Sequence, residues 1–315
     1  MRLRVLHMDE SLMAQPAFLK ACGKRVQQLD LRAEGRQLRM WASRKNIKKF
    51  IQKLDQNDGQ DNSPTISFMG SGDFHHLTAA LVERLHGPLT VIHLDNHPDF
   101  VRLAIPYHCA SWVNRILDLP NVNRVITVGP CTDLTAPQFS LGNLAALTSG
   151  RLELYPYRHG PSLVWGNFGK GPSHQQIGGY IHWRNAGDED WNTFWVELLS
   201  RISTPNVYVS IDKDVLNSDA AMTNWDQGKM HLEQLLEALR LIVERCNIIG
   251  ADVVGDYSPA SECNLVHRIS AWLDHPHINV NASTAAQLNT YSNTAIVEAI
   301  HGIQGMCPSN RKPAS

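Results

Sequence analysis

Asp95, His97 and Asp99 stand at alternate positions directly after the apolar run Leu89–Leu94. Asp212 and Asp214 repeat the arrangement after Asn206–Ile211. Side chains at i, i+2 and i+4 lie on one side of an extended backbone, so each motif presents its potential ligands together. Oxygen-rich sets with a few imidazoles suit hard divalent cations. Taken singly, either motif also fits a solvated turn, because Asp and Asn commonly follow strands. Taken together, they place four carboxylates at the carboxyl ends of two strands, the edge where open α/β sheets gather ligands. Carboxylates brought that close repel one another unless cations offset their charge. The expected chemistry is therefore metal-assisted.

Asp95-Asn96-His97-Pro98-Asp99 and Ser210-Ile211-Asp212-Lys213-Asp214 resemble the Asp-x-His-x-Asp and Ser-x-Asp-x-Asp motifs of the ureohydrolase (arginase/agmatinase) superfamily, in the same order and at a similar separation. The resemblance spans roughly residues 65 to 260. It implies a three-layer α/β/α fold with a mainly parallel sheet and two manganese ions that activate a water for attack on a C–N bond. It also implies further site residues. The family's Gly-Gly-Asp-His, whose His is a ligand, corresponds to Gly70-Ser71-Gly72-Asp73-Phe74-His75-His76. Without a gap Asp73 takes the ligand position; with one or two inserted residues His75 or His76 does, and Asp73 can equally cap the following helix. His108 matches a His that the family uses as a proton shuttle, although a structural His at a helix start would look the same. Aligning Pro259 with the family's late proline puts Asp256 where a Glu pairs with the substrate's guanidinium. Trp225 and Asp226, in the loop after the second motif, are expected to line the pocket. Relatives specific for arginine carry a loop rich in Asn, Thr and Ser after the first motif. Here Phe100–Pro106 is shorter and apolar, which argues against arginine and leaves other guanidino, amidine or amide substrates.

The elements that must position these residues follow from patterning. A chain of 315 residues with 43% hydrophobic and 19% charged residues can bury one large core. Residues 1–307 read as a single α/β domain and 308–315 as a disordered tail. Strand-like runs near 65–69, 89–95, 124–128, 206–212 and 247–254 alternate with helical patterns near 75–86, 109–118, 191–202 and 231–245. That alternation favours a parallel sheet covered on both faces. Residues 1–60 read as mixed and polar, with Arg44–Lys49 as one solvated helical face. Residues 157–190 break into Gly, His, Pro and Asn, as an insertion or a wall over the site.

A net charge of −1 gives no basic field for nucleic acid and no polybasic helix for a membrane. No run is long enough to span a bilayer. Six scattered cysteines without Cys-x-x-Cys spacing read as reduced thiols of a cytoplasmic protein; a small-molecule substrate is expected, and a homo-oligomer is left open. Two other readings share the motifs: a deacetylase-like enzyme using one zinc, and a metal-binding protein of this fold that has lost catalysis. A metallophosphoesterase matches only superficially, because no later Gly-His-x-His exists.

Overall fold

The computed structural model describes residues 1–24, 26–59, 61, 63–105, 107–132, 143–259, 265–276 and 280–304. The expected domain end at 307 and the tail lie outside them. The strands are β1 (Arg2–His7), β2 (Gln27–Asp30), β3 (Trp41–Ala42), β4 (Thr65–Gly70), β5 (Leu89–Leu94), β6 (Tyr107–His108) and β7 (Val122–Val128). They continue as β8 (Leu152–Tyr155), β9 (Ser162–Leu163), β10 (His174–Ile177), β11 (Tyr180–Trp183), β12 (Asn206–Asp212) and β13 (Ile248–Val254). Eight of them form one sheet in the order β2-β1-β4-β13-β12-β5-β7-β8, parallel at every pairing.

Alternation along each strand divides the sheet between two cores. On β5, Leu89 and Val91 face a cluster with Phe50 and Trp112, while Ile92 and Leu94 face one with Phe18 and Trp195. Helices cover both faces, giving three layers. The helix Leu232–Arg245 turns Leu232, Leu235, Leu239 and Ile242 inward, and the Gln234 side chain accepts the His231 N–H at 3.1 Å to close its first turn. Each fully buried Leu contributes about 1.5–3 kcal/mol relative to exposure. The helix Arg44–Asp58 buries Ile47, Phe50 and Leu54 and leaves Lys45, Lys48 and Lys49 exposed.

Three strands of the eight-stranded sheet escape the sequence pattern. β1 carries Arg2 and Arg4 among its apolar residues, and Arg4 is buried against Asp58 at 3.2 Å. β2 and β8 have only four residues each. Within 157–190, β9, β10 and β11 form a small antiparallel sheet anchored by buried Ile181 and Trp183. This segment contributes nothing to the lining of the cavity over the two aspartate motifs, so it is not the wall expected there. No described helix is long and apolar enough to cross a membrane.

Candidate metal centre

Parallel pairing of β5 with β12 sets Ser210 beside His93 and Ile211 beside Leu94. The next residues, Asp95 and Asp212, therefore emerge side by side at the carboxyl edge. Asp212 shares its strand face with Tyr208 and Ser210, and Lys213 takes the opposite face. The space beside them is kept by glycine. A Cβ at Gly255, whose φ is +95°, would lie 2.4 Å from Asp212 Oδ1, and one at Gly72 would lie 2.8 Å from Asp212 Oδ2.

Two groups that could each hold a metal ion meet here and share Asp95: His75, His93, Asp95 and Asp99 in one, and Asp95, His97 and Asp214 in the other. Within each, the candidate ligand atoms lie within 4.8 Å of one another. His75 Nδ1 is 3.1 Å from Asp95, 3.3 Å from Asp99 and 3.4 Å from Asp212. Its orientation follows from the atoms behind it. Ser210 Oγ donates to Asp252 at 2.9 Å and so accepts from His75 Nε2, 2.8 Å away. That arrangement leaves the Nδ1 lone pair aimed at three carboxylates, a placement that needs a proton or a cation between them. His97 Nδ1 stands 2.8 Å from Asp214 Oδ2. His93 Nε2 meets Asp95 Oδ2 at 2.7 Å, with Thr127 Oγ1 3.0 Å from its other nitrogen. Asp99, held at φ +46°, accepts the Trp112 indole N–H at 2.6 Å; such a backbone angle is uncommon for a residue other than glycine and marks a constrained site.

The electrostatics express the crowding. Burial, with Asp214 and Asp95 adding, pushes the Asp212 carboxyl well above the usual range. Burial and Asp95 raise Asp214 to about 7 against the pull of His97, and burial and Asp95 also raise Asp99. Asp95 is held well below the usual range, against its burial, by His93, His75 and His97. His75 and His97 are raised well above the ordinary imidazole value, against burial, by the same carboxylates. The cluster holds protons where divalent cations could replace them, and its oxygen-rich donor set fits hard or borderline ions.

Asp73 and Asp256 lie apart from these groups. Asp73 accepts Arg39 Nε at 2.6 Å, His275 Nε2 at 2.7 Å and Trp225 Nε1 at 3.0 Å. His75, two residues on, stands among the carboxylates instead. His76 is fully buried, neither ring nitrogen has a hydrogen-bond partner among the described residues, and burial, with His108 and His75 adding, lowers its pKa to about 3. Asp256 is fixed on the far side of the sheet, where it accepts from Lys213 Nζ and Gln15 Nε2, each at 2.7 Å, and from Asn293 Nδ2 at 3.1 Å. The proline alignment could not anticipate that burial. Above the cluster opens a cavity of about 640 Å³ whose lining includes His108, Trp225 and Asp226. His108 Nδ1 accepts the Ala110 N–H at 3.1 Å, so in the neutral ring the proton sits on Nε2. Sequence reasoning missed His93, Trp112 and Asp274. The one available signal was His93, a polar residue two places before Asp95 in an apolar strand.

This three-layer parallel sheet, with carboxylates and imidazoles at its carboxyl edge, has the arginase-like α/β fold. Arginase from Bacillus caldovelox superposes with a TM-score of 0.59 at 14% identity, covering 96% of this chain and 97% of that one. Formimidoylglutamase from Bacillus subtilis gives 0.57 at 13% identity, over 98% and 87%. An uncharacterized protein of Thermotoga maritima is 27% identical over 249 residues, 79% of this chain and 75% of its own length. No family model matches the sequence.

Proposed function

We propose that the protein is a metal-dependent hydrolase that cleaves a non-peptide C–N bond of a small molecule, in a guanidino, amidine or amide group, using two divalent cations, with manganese the best fit. The observation that carries this reading is the pair of ligand groups joined at Asp95 under a cavity in an arginase-like fold. Asp95, His75 and Asp99 would hold one cation and Asp95, His97 and Asp214 the other, and Asp212, 3.4 Å from His75 Nδ1, would add a further carboxylate. When bound, the ions would supply Lewis acidity that brings the pKa of a water to near neutrality. The chain's own residues do the rest. Ser210 and Asp252 fix the His75 ring, the Asn96 N–H holds Asp214 Oδ1 at 3.1 Å, and Trp225 walls the cavity. His108 offers its Nε2–H to a substrate or departing nitrogen.

Two groups sharing one carboxylate favour two ions over the single zinc of a deacetylase-like enzyme. Elemental analysis after manganese dialysis should find close to two ions per chain, and a screen of guanidino compounds, amidines and amides should reveal turnover. His75→Ala should lower bound metal by about one ion, whereas Asp73→Asn should leave the count unchanged. No divalent metal under any loading condition would end the reading, and one tightly held zinc would replace it. Full metal loading without turnover of any compound would favour the non-catalytic alternative.

A further inference from the structure

The helix Leu265–Asp274 ends beside the cavity, and its last residue, Asp274, is part of the lining. A carboxylate at a helix C-terminus opposes the helix dipole, whose negative end lies there. It gains little from its surroundings. Loss of solvent raises the Asp274 carboxyl, and among its charged neighbours His275 lowers it while Asp73 raises it further. His275 itself is engaged by Asp73 at 2.7 Å, and the same Asp73 oxygen takes the Trp225 indole. Asp73 is anchored in turn by Arg39, which also donates to the Ser258 carbonyl at 2.6 Å. Asp274 is itself exposed, in a place that its own helix disfavours, and it directly precedes His275, which is held by the buried Asp73–Arg39 pair.

The remaining lining accounts for what that carboxylate would meet. Once two divalent cations balance the four ligand aspartates, Asp226 and Asp274 are the carboxylates left over. No Lys or Arg lines the cavity among the described residues. The stretches 133–142, 260–264 and 277–279 contain no Lys or Arg in the sequence. Arg102, in the loop after Asp99, directs its guanidinium to Asn143 at 2.7 Å. Val101, Leu103 and Ala110 form an apolar part of the lining.

We infer that Asp274 is the specificity residue of this cavity, pairing with a cationic nitrogen group of the substrate, and that the site selects small organic cations carrying no carboxylate. The inference rests on the hydrolase reading for its metal-loaded site, but its test reads binding. Titration calorimetry of the manganese-equilibrated full-length protein would compare butylguanidinium, 4-guanidinobutyrate and pentanamide: a cation, the same cation with an added carboxylate, and a neutral amide. Butylguanidinium should bind at least tenfold more tightly than either of the others. Asp274→Asn should lower its affinity at least tenfold, with bound metal, melting temperature and pentanamide affinity unchanged, and Asp274→Glu should restore most of the loss. Equal affinities for the three probes in the wild-type protein, no binding of butylguanidinium, or a cation preference that survives in Asp274→Asn would overturn the inference. Cation-selective binding that depends on Asp274, without turnover of any C–N compound, would sustain it while the hydrolase reading failed. Turnover of a carboxylate-bearing substrate with no effect of Asp274→Asn would do the reverse.

Discussion

Lys213 shows how a residue's meaning depends on what lies behind its strand. Alternation alone puts it on the face opposite Asp212, where a lysine in a loop-like motif would be expected in solvent. That face is instead buried: Lys213 is fully enclosed and its ammonium lies 2.7 Å from Asp256. Burial lowers its pKa, and Asp256 works against that shift. Removing one member of a buried ion pair strands the other charge, at a cost of about 3–5 kcal/mol. Lys213→Met should therefore lower the urea midpoint by that equivalent while bound manganese stays constant. Lys213→Met combined with Asp256→Leu should recover much of the loss. A Lys213→Met protein as stable as the parent would show that the pair contributes nothing. At this scale the sequence was legible where chemistry and position coincide, as at Asp95, His97, Asp99, Asp212 and Asp214. It was ambiguous over Asp73, His75 and His76, because a single inserted residue decides which side chain enters the cluster and which meets Arg39.

Elements were legible in proportion to their length and apolarity. β4, β5, β12 and β13, which carry or flank the candidate ligands, are continuous buried runs, and their order in the chain suggested a parallel sheet. β1 was obscured by its arginines. The helix Ala282–Gln304 had no clear stripe to reveal it, because Asn289, Ser292 and Asn293 are buried polar residues on it. The two-residue pairing of β6 with β3, Trp41 beside His108, leaves no period to read, yet it fixes His108 at the cavity. Burial lowers the His108 pKa to about 4, so the ring is neutral in the folded protein well below the pH at which the unfolded chain protonates it, about 6.5. Between those values the unfolded state binds the additional proton, and stability falls as the pH is lowered. The contribution is on the order of 3 kcal/mol at about 1.36 kcal/mol per pKa unit. Chemical denaturation of wild type and His108→Gln between pH 6.5 and 4 should show a shallower decline in the variant. Parallel declines would remove His108 from the acid response.

At the scale of the whole molecule, a net charge of −1 conceals a concentration of negative charge at one sheet edge, and this is where the fold is under most electrostatic stress. In the metal-free chain, Asp214 titrates at about 7 and Asp212 well above its ordinary value. Both are raised, so the folded state holds protons that the unfolded state has released above about pH 4. Stability is accordingly lost as the pH rises from about 4 through the folded values, the opposite direction to the His108 effect and over a range that overlaps it and extends above it. Divalent cations should abolish this loss by taking the place of the protons, and they bind more tightly as the carboxylates ionise. Melting of chelator-treated protein should therefore fall between pH 6.5 and 8. Added manganese should raise the melting temperature by an amount that grows across the same range, as expected for a ligand that binds only the folded state. Asp214→Asn should flatten the metal-free decline. A manganese-induced shift that is absent, or that shrinks as the pH rises, would mean that the carboxylates at the heads of β5 and β12 do not form a cation site.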